Sequence, residues 1–327
     1  MTGAYVDKGY VFAVARLRYA ELKLLNNQAM DQLVSASDYE DAVKVLKEKG
    51  WGGDNSTEDA EALLQEEREK LWSFVDEIVP DRSIFDVFKL PNDYNNLKAA
   101  LKESVMEYDY PGIYISESTV DPELIRNAIK ERNYQALPDD MIEAAEYAHS
   151  TFLKTADGQL CDIIVDKACL DAILKAGKAT ENDFLEMYAE IKVASTDIKT
   201  AVRAALTGKD KDFLNMALAE CATVDKNGLA NAALNGVDAI ASYLGNTAYA
   251  DAVSELRKSP AAFERWCDNL ITARMKPQLY ESFGLGPIAA YILARENEIK
   301  SVRIILSGKQ NGFSKEMIAE RVRDCYV

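Results

Sequence analysis

Val202-Arg203-Ala204-Ala205-Leu206-Thr207-Gly208-Lys209 returns one hundred residues later as Val302-Arg303-Ile304-Ile305-Leu306-Ser307-Gly308-Lys309. A fainter copy, Leu97-Lys98-Ala99-Ala100-Leu101-Lys102, stands about one module earlier. Similarity at a fixed period means one supersecondary unit used more than once, which constrains architecture before any single residue is read. The period exceeds that of ordinary solenoids, so the unit is a small helical domain, and three copies fill 327 residues. A second echo keeps the same order. Tyr39-Glu40-Asp41-Ala42-Val43-Lys44-Val45-Leu46 matches Tyr249-Ala250-Asp251-Ala252-Val253-Ser254-Glu255-Leu256, with Tyr, Asp, Ala, Val and Leu in register. The middle module offers only Arg126-Asn127-Ala128-Ile129 at that place. Two echoes in one order favour triplication over chance likeness among Ala/Leu-rich helices. The modules read from this pattern are 1–110, 111–210 and 211–327.

The fold class follows from what interrupts the chain and what does not. Only eight Pro and sixteen Gly break long Ala/Leu/Glu/Lys stretches that favour helix by intrinsic propensity. No run of strict polar/apolar alternation, and no Asn-Gly or Asp-Gly between β-rich segments, argues for strands or hairpins. The sequence predicts an all-α protein. An opening helix is expected over about Tyr5 to Leu25, and a short one carrying Ala42, Val43 and Leu46 before the breakers Gly50-Trp51-Gly52-Gly53. Ser56 and Asp59 have capping-box spacing ahead of the helix through Leu63, Leu64, Leu71 and Trp72. Asp121-Pro122 reads as an N-cap with Pro at the first helical position, and Pro138-Asp139-Asp140 starts the helix holding His149. In the last segment, Gly284-Leu285-Gly286-Pro287 starts a helix whose apolar stripe is Ile288, Ile292, Ile299, Val302 and Leu306. Arg295 fills that stripe's one missing step, and Gly308 is expected at the helix C′ position.

The net charge of −16 argues against nucleic acid, which needs clustered Lys/Arg, and against direct contact with anionic headgroups. The longest apolar run, Pro287 to Ala294, falls far short of the ~20 residues that span a bilayer. No basic segment precedes an apolar core at the N-terminus, so no signal peptide is expected. Five cysteines, Cys161, Cys169, Cys221, Cys267 and Cys325, lack short paired spacing, which suits free buried thiols in a reducing cytoplasm.

Three patterns carry the chain's resemblance to a known family. One is Phe283-Gly284-Leu285-Gly286-Pro287-Ile288-Ala289-Ala290-Tyr291-Ile292-Leu293-Ala294-Arg295-Glu296-Asn297-Glu298-Ile299-Lys300-Ser301-Val302-Arg303 near the C-terminus. The others are Tyr10-Val11-Phe12-Ala13-Val14-Ala15-Arg16-Leu17-Arg18 with Leu24-Leu25, and Asp93-Tyr94-Asn95-Asn96-Leu97-Lys98. Together they resemble the C subunits of the V-type (A/V-type) ATPases, a family related to the vacuolar d subunit. The middle module departs most, because Thr196-Asp197-Ile198-Lys199 lacks the family's Glu-x-Glu pattern. The resemblance implies a funnel of three related helical domains with pseudo-threefold symmetry. It implies a non-catalytic central-rotor component, cytoplasmic and peripheral to the membrane. Such a component sits on the proteolipid ring, receives the D and F shaft subunits, and couples ATP hydrolysis or synthesis to ion transport.

The residues themselves offer little chemistry. Gly284-x-Gly286-x-x-Ala289 matches a dinucleotide fingerprint, but no buried strand precedes it and Pro287 removes an N–H that a pyrophosphate would use. Thr207-Gly208-Lys209 and Ser307-Gly308-Lys309 lack the rest of a phosphate loop and read as helix ends with a dipole-compatible Lys. A lone His149 assembles no usual zinc site, and no carboxylate pair stands apart for acid–base work. No catalytic, cofactor or metal residue is therefore expected. The residues singled out are Arg16, Arg18, Arg203, Arg295, Glu296, Glu298 and Arg303, as braces between modules or as an interface. Arg295 leads, because an arginine in an apolar stripe must be paired or sit at an interface. Its expected partners are Glu298 and carboxylates of the first helix region, with Glu296 and Lys300 forming a helix pair. A helical scaffold binding unrelated partners, and a helical enzyme with a pocket between modules, are the alternatives.

Overall fold

A computed structural model of the chain describes residues 10–52, 59–106 and 112–327. Its helices are, in order, α1 (Val11–Glu21), α2 (Asn27–Ser35), α3 (Tyr39–Glu48), α4 (Ala60–Ile78), α5 (Leu90–Met106), α6 (Pro122–Lys130), α7 (Asp139–Thr155) and α8 (Gly158–Ala179). There follow α9 (Asp183–Leu206), α10 (Lys211–Ala217), α11 (Lys226–Leu234), α12 (Val237–Leu244), α13 (Val253–Lys258), α14 (Pro260–Met275), α15 (Gly286–Gln310) and α16 (Lys315–Ala319). The described residues contain no strand, so the protein is all-α. They form two compact units, one of Met1–Arg82, Asn182–Phe184 and Ser254–Val327, the other of Ser83–Glu181 and Leu185–Val253.

Short polar side chains, mostly aspartates, start many of the helices. Asn26, Asp38, Asp121, Asp157, Asp210 and Asp225 each accept a hydrogen bond from a first-turn N–H of the helix that follows. Such caps satisfy orphan donors and stabilise by about 1 kcal/mol each. Ser56, one half of the predicted capping box, lies outside the described residues. Asp59 is itself the N-cap of α4, accepting from Ala62 N–H at 3.2 Å.

Three helix ends differ from expectation. The opening helix stops at Glu21, and residues 5–9 lie outside the described set. Leu25 then folds inward to a core with Leu33, Leu46, Trp51, Leu64 and Ile299. Asn26 recaps the chain into α2, a helix too short for its own periodicity to be read. The Leu97 echo lies inside α5, which continues to Met106. Gly208 does sit past the end of α9 in the left-handed region, φ +64°, with Lys209 N–H bonded to Ala204 O at 3.0 Å. Gly308, in contrast, lies in the last turn of α15. A Cβ there would come within 2.7 Å of Ile318 on α16, so the glycine serves packing, and Gly312 (φ +67°) makes the exit.

The sequence echo is matched by hydrogen bonds in the same register. Asn92, Asp197 and Asn297 each stand five positions before Leu97, Val202 and Val302. Each reaches the backbone of its own return segment: Asn92 Nδ2 donates to Glu117 O (2.7 Å), Asp197 accepts from Ala219 N–H (3.2 Å), and Asn297 Nδ2 donates to Asp324 O (3.3 Å). One turn further, Asn96 bonds both backbone groups of Ile115, and Ser301 Oγ accepts from Arg323 N–H. Long helices clasping a return segment at equivalent positions are the repeated feature.

Asp197 makes its clasp while 2% exposed, and burial pushes its carboxyl up to about 7 against the pull of the Ala219 N–H and Lys226. The folded state therefore holds this proton over a range where the unfolded chain has released it. The resulting stability is fully present below about pH 4 and is lost as pH rises through about 7. Urea midpoints of the wild type should fall between pH 5 and pH 8 more steeply than those of Asp197→Asn. Parallel slopes would contradict this.

Candidate functional site

α15 and α4 run side by side, and their charges match in reverse order. Glu61 and Arg68 on α4 are seven residues apart, as are Glu296 and Arg303 on α15. Arg303 binds Glu61 through Nε (3.1 Å) and Nη2 (2.8 Å), and Arg68 Nε reaches Glu296 at 3.5 Å. Both pairs are solvent-accessible, so each contributes at most ~1 kcal/mol.

Next to the Arg68–Glu296 pair the same two helices share a buried one. Arg295 Nη2 lies 2.6 Å from Glu67 Oε2, while Nη1 donates to Glu298 one turn along α15. Arg295, Glu67 and Glu298 are all less than 9% exposed. The guanidinium lies 5.1 Å from the Trp51 ring, a cation–π contact that also fixes the plane of the fork. The carboxylates find further donors. Glu67 Oε1 accepts from Gly52 N–H (2.9 Å) and Lys70 Nζ (2.7 Å), and Glu298 Oε1 accepts from Leu25 N–H. Burial pushes the Glu298 carboxyl above its ordinary range, opposed chiefly by Arg295. The cluster thus ties α4, α15, the turn after α3 and the turn after α1 to one guanidinium.

The remaining residues singled out from sequence sit around this centre, with one exception. Arg18 grips both oxygens of buried Glu21 at 2.8 Å and donates to Gln278 O (2.8 Å) and Glu281 O, joining α1 to the 3₁₀ turn Lys276–Tyr280. Arg16 pairs with Glu77 at 2.8 Å in solvent. The exception is Arg203, which belongs to the other unit and is exposed on α9. Two expectations need correcting. Arg295's long-range partner comes from α4, not the first helix. Glu296 and Lys300 do not pair: Lys300 binds Asp268 (2.6 Å) and Glu264 (3.1 Å) on α14, where two carboxylates converge on one ammonium. Sequence reasoning missed Glu61, Glu67, Arg68 and Trp51, although the mirrored seven-residue spacing of opposite charges was a usable signal.

The arrangement can rivet helices. Burial pushes the thiols of Cys161 to about 11 and of Cys169 and Cys221 to about 12, so all three stay protonated at neutral pH. His149 is buried with Ser104 Oγ at 3.2 Å and Tyr134 OH at 2.9 Å, and burial lowers its pKa, leaving it neutral. Among the described residues no group of three or more His, Cys, Asp or Glu is placed to hold a metal ion. The glycines before α15 follow a 3₁₀ turn, not a strand, and Gly286 packs against the Gln278 side chain. No helix among the described residues is long and apolar enough to cross a membrane.

The model of the family described as ATP synthase (C/AC39) subunit matches residues 13–321. The chain belongs to this family. Its relatives include the C subunit of the V-type sodium ATPase of Enterococcus hirae, 23% identical over 95% of this chain and 97% of the relative. The C subunit of the A-type ATP synthase of Methanocaldococcus jannaschii is 22% identical, over 94% and 85% respectively. The C subunit of the V-type ATP synthase of Thermus thermophilus is 21% identical, over 96% and 98%. The C/AC39 protein described here is thus a subunit of a rotary V/A-type ATPase, with other subunits of that complex as its partners.

Proposed function

We propose that this C/AC39 protein is a non-catalytic part of the central rotor. It links the D and F shaft subunits to the proteolipid ring and passes torque between them, coupling ATP hydrolysis or synthesis to ion movement. The carrying observation is the family match along nearly the whole chain, residues 13–321. The physics of the molecule is consistent with such a part. Close-packed helices deform little under load. The α4–α15 charges tie the two helices through three pairs, two adjacent and one two turns away, which opposes sliding of one past the other. The division into modules 1–110, 111–210 and 211–327, with pseudo-threefold symmetry, belongs to the same reading; the register-matched clasps support a repeated unit, but those of Asn92 and Asp197 reach past residues 110 and 210, so each unit includes the return segment that follows its long helix. Attachment to the membrane is through the ring, on the cytoplasmic face, without insertion into lipid.

The direct test is association. Purified chain mixed at low salt with a D–F shaft, and separately with detergent-solubilised proteolipid ring, is expected to co-elute with each. Co-elution with neither would reject the rotor assignment.

A further inference from the structure

The return segments after α5 and α9 end in the same three residues, Thr119-Val120-Asp121 and Thr223-Val224-Asp225, and lead into α6 and α11. Asp93 of α5 secures the first, accepting from Thr119 N–H (2.7 Å), Thr119 Oγ1 (2.7 Å) and Val120 N–H (3.1 Å). Glu190 of α9 secures the second in the same manner, from Thr223 N–H (2.6 Å) and Oγ1 (2.7 Å). Asp197, two turns further along α9, is therefore an additional acid on the segment. Its two oxygens share one donor, the Ala219 N–H, at 3.2 Å each, and it is buried. The charged groups facing it are Lys167 and Asp171 on α8, already paired with each other at 2.6 Å, and Lys226 on α11. None of them forms an ion pair with Asp197 among the described residues. Cys221, on the segment itself, also senses its charge and stays protonated.

A buried carboxyl group with one neutral donor and no cation is more stable protonated than charged. Once charged, it gains most by meeting water, and the element that can make way is the segment rather than a helix. Residues 218–224 are non-helical, and Glu220 and Ala222 are already exposed. We propose that Asp197 is a proton-operated latch. Protonated, it keeps segment 218–224 closed on α9; on losing its proton to solvent, it lets that segment open while the helices of the second unit stay folded. Opening also uncovers Cys221, whose thiol donates to Val224 O (3.5 Å) in the closed form. The latch belongs to this chain alone and does not depend on the rotor reading.

Amide hydrogen exchange of the full chain, corrected for the intrinsic pH dependence of exchange, tests the latch. Protection of the Ala219 N–H should fall at least about tenfold from pH 5 to pH 7 in the wild type, because the closed form holds the proton up to about 7 and the open form releases it near the ordinary value of about 4. In Asp197→Asn the same protection should stay constant to within about twofold, since the amide carries no titrating proton. Amides in the middle of α8 and α9 should not follow Ala219. At pH 7, N-ethylmaleimide should label Cys221 faster in the wild type than in Asp197→Asn. A second measurement needs no variant: the carboxyl ¹³C resonance of Asp197 in the wild type should titrate near pH 7. The latch is overturned by equal pH dependence at Ala219 in both proteins, by protection lost to the same degree throughout the second unit, or by a carboxyl that titrates near its ordinary value.

Discussion

Replacing Arg295 with methionine should destabilise the first unit by about 3–5 kcal/mol, the cost of leaving a buried charge without its partner. In a domain of this size that lowers the melting temperature by roughly 10 °C. Methionine fills the space beside Trp51, so lost volume is not the cause. The cause is that Glu67 and Glu298, both about 5% exposed, would face each other with no cation between them. Lys70 reaches only the far oxygen of Glu67 and is itself half in solvent, so it relieves part of the deficit. Three variants separate charge from packing. Arg295→Lys keeps the charge but loses the two-armed fork and the stacking on Trp51, and should fall between wild type and Arg295→Met. Arg295→Met combined with Glu67→Gln and Glu298→Gln should recover most of the loss, since neutral amides still accept from Gly52 and Leu25 N–H. Thermal and urea unfolding read all of these. A single Arg295→Met variant within 1 kcal/mol of wild type would show that the cluster is not buried as described.

The sequence made α15 legible because its signals agree. A glycine turn, Pro287 near the first helical position and a long apolar stripe point to one helix, and Arg295 is conspicuous because it interrupts that stripe. Asp121-Pro122 and Pro138-Asp139 worked for the same reason, since each encodes its start locally. What could not be read depends on contacts between distant segments. Gly308 looks like a helix end until α16 folds across it. Lys300 has a good helical neighbour in Glu296, yet Asp268 and Glu264 outcompete it with two carboxylates against one. Glu67 is one acid among 54 Asp and Glu, and only the partner across α4 and α15 distinguishes it. Family membership was legible for the same reason that α15 was, because the most specific motif lies in the most locally determined helix.

The second large effect concerns the complex. If this protein is the mechanical link between shaft and ring, its removal should abolish ATP-driven ion movement while leaving ATP hydrolysis by the soluble head intact. A catalytic subunit would fail in the opposite way, losing hydrolysis first. The Arg295→Met variant, added in place of wild type, should restore coupling near its folding optimum and lose it at temperatures where the first unit melts. Proteoliposomes holding the rotary complex, with and without this chain, allow ion uptake and phosphate release to be followed in the same sample. The account predicts that omitting the chain reduces ATP-driven uptake to background while phosphate release continues, and that adding it back restores uptake. Undiminished uptake in its absence would contradict the account.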